Sequence, residues 1–447
     1  MQLQPDMLID LHAAFPERYP ALLESTAEGP LGCFDILFAF PQARLALQAD
    51  GTLQAANCIA PPDHDFLAAL DSWWRQERAP ASDSGLPFEG GWFLMLGYEL
   101  AGQVEPSLRL PAADAIIAEA LRIPAAIVAE RGTGRAWIVA EPSAVDLIAT
   151  LEEDLRNVER CERRAYSHNL IDALTEEAGE RYMEIVERAL DYIRAGDIYQ
   201  ANLSRGWRAR LASKVAPHEV YRRLRKTNPS PFGGIAQLQG RTVVSSSPER
   251  LLKVQHGMAS TRPIAGTRPR VADSALDQRY LRELQTHPKE IAEHVMLLDL
   301  ERNDLGRICR GGSVKVDEYM IIESYAHVHH IVSNVHGILR ADIAPGDAIR
   351  AVFPGGTITG CPKVRCMQII GELERTPRGA YTGSMGYLNR SGDLDLNILI
   401  RTMEIRGREL AFRAGGGIVA DSIPERELEE TRAKARGLIR AVQPEMP

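Results

Sequence analysis

Two pairs of glutamates carry the clearest chemical signal in this chain. Glu290 and Glu293 lie in "HPKEIAEHVMLLDLERNDLGR" (287–307), and Glu427 and Glu430 lie in "DSIPERELEETRAKARGLIRAV" (421–442). Residues three apart on a helix share a face, so each pair presents two carboxylates side by side. Either pair alone reads better as a solvated face, or as acids answering a helix dipole. Brought together, four carboxylates repel unless a hard cation neutralises them, and oxygen-only ligands suit Mg²⁺. The run Gly415–Gly416–Gly417 just precedes the second pair. Its backbone N–H groups could approach an anion closely, as a nest. A metal beside a nest is a site for a substrate carboxylate.

The elements that must position these residues follow from local pattern. Pro288 opens the first acid-bearing helix. Ser422 with Glu425 reads as a capping box and Pro424 as a first-turn residue of the second, with Leu428, Ala435, Leu438 and Ile439 as its buried stripe. Helices are expected at 286–306, 344–352, 361–374 and 424–441. Tyr182, Ile185, Val186, Ala189 and Ile193 recur at helical spacing and Gly196 stands where a C-cap is expected. "GCFDILFAF" and "RAWIVAE" read as strands, and Gly90–Gly91 as a bend or close backbone approach. "NRSGD" and "RGREL" read as hairpin turns. Antiparallel runs with inserted helices indicate an α+β chain. A charged helix over 144–165 leads into a linker. The division expected is residues 1–165, which include "LLES" (22–25), and residues 175–447.

Composition excludes several classes. A net charge of -8 with no basic block argues against nucleic acid. No apolar run is long enough to span a membrane and the N-terminus lacks a signal-peptide pattern, so a cytoplasmic protein is expected. The six cysteines, Cys33, Cys58, Cys161, Cys309, Cys361 and Cys366, show no metal-ligand spacing and read as reduced, structural thiols.

A series of longer motifs then becomes informative: "DIYQANLSR" (197–205), "SSPERLL" (246–252), "RPIAGTRPR" (262–270), "YAHVHHIVS" (325–333), "FPGGTITGCPKVRCMQII" (353–370) and "AGGGIVADSIPERELEET" (414–431). In this order, and densely over 175–445, the chain resembles the chorismate-utilising enzymes. The resemblance implies two large antiparallel sheets packed as a sandwich with helices outside. It implies Mg²⁺ held directly by Glu293 and Glu430, with Glu290 and Glu427 acting through metal-bound water. It implies Tyr381 and Arg401 on the enolpyruvyl carboxylate, a task suited to a bidentate guanidinium. Gly266, Thr267, Thr357 and the Gly415–Gly417 run would line the ring and its carboxylate. His330 would be the acid/base histidine near C2, and Lys363 either a further positive charge or a surface residue. Glu249 would be the general acid for departure of the C4 hydroxyl; a salt bridge to an arginine is its plain alternative.

Two positions sort the branches of this family. Gln200 stands where the water-adding branches use lysine, and a neutral amide cannot take a proton; amination is therefore expected, not hydration. Ala265 stands where the branch that aminates C4 usually places a nucleophilic lysine, and where the anthranilate branch has alanine. The surrounding "FPGGTITG", "VHHIVS", "NPSPFGG" (228–234) and "TGSMGYL" resemble the aminodeoxychorismate branch. Phe232–Gly233–Gly234 also lack two side chains of the anthranilate branch's tryptophan pocket wall, which "LLES" completes. The expectation is 4-amination, on the way to 4-aminobenzoate and folate, with anthranilate formation as the alternative and an inert ligand-binding scaffold as a third. No glutaminase nucleophile motif surrounds any cysteine, so ammonia is expected from a separate glutamine amidotransferase subunit.

Overall fold

The computed structural model describes residues 4, 6–27, 32–58, 65–159, 170–271, 273–324 and 328–443, without the side chains of Glu159, Thr267, Lys289 and Val328. Two antiparallel sheets of eleven strands each organise these residues. One runs from Gly360–Cys361 through Gln200–Leu211, Glu409–Ile418, Thr402–Arg406, Arg241–Ser247, Phe232–Leu238, Ala21–Glu24, Phe34–Ala39 and Ala125–Glu130 to Ala136–Ala140. The other runs from Ile264–Pro269 through Val328–Ile338, Met258–Thr261, Arg250–Gln255, Leu394–Asn397, Ser384–Asn389, Gly91–Leu96 and Ala118–Ile123 to Ala43–Leu47 and Leu53–Ala56.

The sheets face each other, as the residues between them show. Phe38, Ala126 and Val243 of the first sheet pack with Phe93, Met95, Leu121 and Met385 of the second. Strand alternation makes this possible, because every second residue points to the same face. Helices cover both outer faces. Helix Pro424–Val442 packs through Ala435 and Leu438 onto the first sheet; helices Phe66–Glu77 and Pro345–Val352 pack on the second. The α+β sandwich expected from sequence is therefore the observed architecture. Trp207 and Phe412, directly paired across neighbouring strands, stack at 5.4 Å with planes 4° apart, a favoured cross-strand arrangement.

Residues before 160 and after 170 share both sheets. Leu23 pairs with Gly234 in one, and Leu94 with Gly386 in the other. The expected boundary near 165 falls outside the described residues. Among the described residues no helix is long and apolar enough to cross a membrane.

Two local expectations are corrected. The second acid-bearing helix begins at Pro424 with Ile423 as its N-cap, and no side chain caps it. Ser422 lies one residue too early for a capping box; its hydroxyl instead accepts from the Val419 N–H at 3.1 Å, closing the preceding turn. The Gly415–Gly417 run is not a nest. It lies within strand Glu409–Ile418, none of the three has a positive φ, and all three pair with Asn202–Ser204. A nest needs alternating helical conformations, which a strand in register cannot supply.

Gly91 has φ +150, and a Cβ there would meet the Leu388 carbonyl oxygen at 2.1 Å. Because this contact lies in a ladder joining early and late strands, Gly91→Ala should cost about 2 kcal/mol or more, read as a lower thermal midpoint with unchanged secondary structure content.

Candidate active site

The glycine run decides where the acids meet. A Cβ at Gly415 would lie 2.2 Å from the Leu203 carbonyl oxygen, and one at Gly417 2.1 Å from Gln200 Nε2. One at Gly416 would face Glu430 Oε1 at 3.2 Å and Glu427 Oε2 at 3.4 Å. The carboxylates of helix Pro424–Val442 thus lie over a strand stripped of side chains. From the other helix, Glu293 Oε1 accepts from Gln200 Nε2 at 3.0 Å. Gln200 therefore touches both the glycine strand and the first acid pair. Glu290 packs against Gly266, whose Cβ would lie 2.6 Å from its Oε2; that oxygen is buried and makes no hydrogen bond among the described residues.

One acid of each pair is countered by a cation. Glu290 pairs with Arg268, and Glu430 with Lys434 at 2.7 Å. Among the described residues no three His, Cys, Asp or Glu side chains are close enough to hold a metal as they stand. The donor chemistry fits a hard divalent cation: oxygen only, with Glu290 Oε2 and Gln200 Oε1 buried and unsatisfied. Closing such a site requires Arg268 and Lys434 to yield their carboxylates.

Beyond the acids lies a pocket of buried polar groups. Glu249 is 5% exposed. Burial pushes its carboxyl up to about 8, and Glu301 adds to the push; the Thr357 side chain, the Ile264 backbone and Arg401 pull the other way. Glu249 is thus protonated at neutral pH. Its Oε1 and Thr357 Oγ1 are buried without a hydrogen bond to any described residue. Arg401 sits at φ 52, a left-handed conformation unusual for arginine. Its guanidinium makes no ion pair or hydrogen bond among the described residues, and burial lowers its pKa, partly offset by Glu249. An arginine left this way is ready for an anionic ligand.

His330 is 3% exposed. Burial, with Arg401 nearby, pushes it down to about 4 against a hydrogen bond with the Gly266 backbone, so the imidazole is neutral. Burial likewise lifts the Tyr381 phenol to about 12, and it remains a donor. Ala265 is buried opposite Ile331, and the bulge between Ala265 and Thr267 lets Gly266 adopt φ +73. Thr267 lies on the same strand, with its side chain outside the described residues.

Lys363 does not join this group. Its ammonium pairs with Asp304 and donates to the Val352 carbonyl at 3.3 Å. Sequence reasoning missed the buried acids Glu301 and Asp304, 6% and 2% exposed. The signal was present, because they repeat the three-residue spacing of the glutamate pairs on the same helix. It also missed Asn202, whose Nδ2 donates to the Thr357 carbonyl at 3.4 Å and whose Oδ1 is buried and unsatisfied. A separate cavity of about 900 Å³ lies between the sheets, lined by Leu23, Glu24, Phe232, Gly233 and Tyr387. It adjoins the 22–25 segment, not the carboxylates.

Comparison with known proteins gives a family and a fold. A family described as "chorismate binding enzyme" matches residues 25–440. The chain is 42% identical over 368 residues to an anthranilate synthase component I-like protein of Synechocystis, covering 80% of this chain and 74% of that one. It is 38% identical over 391 residues to aminodeoxychorismate synthase component 1 of Bacillus subtilis, covering 85% and 82%. The crystal structure of anthranilate synthase component I from Streptococcus pneumoniae superposes with a TM-score of 0.80 at 31% identity, covering 92% and 93%.

Glu249 gives a signed prediction. Its folded pKa of about 8 lies above the ordinary 4.5, so it favours folding fully below pH 4.5 and loses that contribution as pH rises toward 8. Glu249→Gln should therefore gain stability relative to the native chain as pH climbs from 5 to 8, by roughly 1–4 kcal/mol, measured by denaturant unfolding at each pH. Its turnover should fall about 10²–10⁴-fold.

Proposed function

This chain belongs to the chorismate-binding enzymes, and on that premise we propose that it is component I of an aminodeoxychorismate synthase, adding ammonia to chorismate to give 4-amino-4-deoxychorismate. One observation carries the reading: the Glu249 carboxyl, 5% exposed and pushed up to about 8 by burial, shares a pocket with the Arg401 guanidinium, which makes no ion pair among the described residues. Hydroxide is a poor leaving group, and a positioned acid is what its departure requires. Gln200 supports amination over hydration, since its amide is already donating to Glu293 and offers no base.

In this reading Arg401 and Tyr381 hold the enolpyruvyl carboxylate, and Thr357, Gly266 and Thr267 line the ring. Glu293 and Glu430, with Glu290 and Glu427 behind, would hold a magnesium ion, which would supply the positive charge that the ring carboxylate needs. Ammonia from a glutamine amidotransferase partner forms a bond at C2 as the ring double bond shifts. The C4–O bond breaks, and Glu249 gives its proton to the departing oxygen, which leaves as water. Neutral His330 takes the surplus proton of the new ammonium. A second ammonia then bonds to C4 while His330 returns its proton to the C2 nitrogen, which leaves as ammonia; the new C4 amine keeps its proton as an ammonium, so one ammonia is consumed and one water released.

The 4-amino outcome is supported by the wall at 232–234. A Cβ on Gly234 would lie 2.7 Å from the Leu22 carbonyl oxygen and 2.9 Å from Met385 Cε. At Gly234 the chain leaves no room for one of the two side chains that wall the tryptophan pocket in the anthranilate branch. Anthranilate formation is the second reading, favoured by Ala265, which brings no amine to the ring.

The product decides between them. With chorismate, Mg²⁺ and ammonium salts, chromatography should find a 4-amino product and no prompt pyruvate; pyruvate with a blue-fluorescent product reverses the assignment. Chelation of divalent metal should abolish turnover, with recovery on adding Mg²⁺. Ala265→Lys should gain the mass of one chorismate less one water in a covalent adduct detected by mass spectrometry. Without that lysine the native enzyme should turn over more slowly than lysine-bearing relatives, since free ammonia lacks the effective concentration of a tethered amine.

A further inference from the structure

The ionisable groups beneath Glu249 hold no substrate in the reading above, yet they are buried as deeply as Glu249. Glu301 and Asp304 project from helix Pro288–Gly306 one turn apart. Lys363, on helix Lys363–Glu374, pairs with Asp304, and Arg307 reaches Asp304 at 3.0 Å. A Cβ on Gly356 would lie 3.5 Å from Glu301 Oε1. The next residue, Thr357, faces Glu249. The short turn Gly356–Ile358 therefore has one carboxyl on either side. Around it, Glu249 Oε1, Thr357 Oγ1 and Thr261 Oγ1 are all buried without a hydrogen bond to any described residue.

We propose that Glu301 is a positioning residue for Glu249: its charge, held beneath the Gly356–Ile358 turn, keeps the proton on Glu249 until the leaving hydroxyl takes it. The proposal rests on Glu249 being the acid of the reaction, whichever carbon receives nitrogen. Two carboxyls in one low-dielectric site do not both ionise readily, so they titrate as a pair. Burial and Asp304 push Glu301 up, while Lys363, the Thr261 side chain and the Gly356 backbone pull it down. Arg401 faces Glu249 from the other side, with His330 beside it. Lys363 answers Asp304, and Arg307 is largely exposed and screened by solvent, so an ionised Glu301 is the negative charge that Glu249 meets. When Glu249 protonates the C4 oxygen, the C–O bond breaks and water leaves. The carboxylate so formed regains a proton from solvent when product departs.

The test is the pH profile of kcat in Glu301→Gln and Glu301→Asp. Removing the charge should move the alkaline limb to lower pH by about one unit, while the aspartate variant keeps the limb near its native position and product identity is unchanged in both. An equal loss of kcat at every pH, or an aspartate variant shifted as far as the glutamine one, overturns the proposal. Infrared titration gives a second reading that needs no turnover. Glu24 and Glu99 are also buried carboxyls pushed up to about 7, so the reading is a difference between proteins: Glu301→Gln should lose one carboxylic-acid band and move the disappearance of the Glu249 band to lower pH by about one unit; a Glu249 step that stays at its native pH also overturns the proposal. Failure to aminate chorismate would instead count against the assigned reaction and leave the infrared result standing.

Discussion

Three consecutive residues without side chains fix the rest of the site. Gly415, Gly416 and Gly417 allow strand Glu409–Ile418 to lie against Gln200–Leu211 with the Gln200 side chain folded across it and two glutamates directly above. A single methyl at any of the three would meet a carbonyl oxygen, a pair of carboxylates or an amide. In sequence the run resembles an anion-binding nest. Its actual role is steric: it is thin enough for two acid-bearing helices to converge on one spot of a sheet.

The second constraint is electrostatic. A pocket holding Glu249, Glu301, Asp304, Arg401 and His330 away from water cannot keep them all in their solution protonation states. The fold distributes the cost. Asp304 takes Lys363 and Arg307 as partners, Glu249 keeps its proton, His330 loses its own, and Arg401 keeps a charge with no fixed partner. The last is the arrangement expected of a group whose counter-ion arrives with the substrate.

Much of this was legible in the residues. Periodicity and proline placement gave helices Pro288–Gly306, Pro345–Val352 and Pro424–Val442, because these signals are local. The hairpin turns were equally local, with Gly407 at φ 59 in one of them. What could not be read was long-range. Nothing in "LLES" announces that Leu23 pairs with Gly234, and nothing in "FPGGTITGCPK" says that Lys363 turns toward Asp304 and away from the ring. Glu301 and Asp304 escaped notice because, in sequence, they look like the polar tail of an amphipathic helix. Only burial reveals them as chemistry. Ser422 failed as a cap for a smaller reason: its hydroxyl found a closer amide in the turn before the helix.

The sharing of both sheets by early and late strands has a bearing on inheritance. Ala21–Glu24 is held between Phe34–Ala39 and Phe232–Leu238, and Gly91–Leu96 between Ala118–Ile123 and Ser384–Asn389. A crossover near the middle of the gene would therefore not exchange a module. It would leave two interior seams, each pairing strands from different parents, and both would have to match in register and in the packing of the layer between them. Recombination in such a protein is filtered by geometry, so its two halves are expected to travel together through descent.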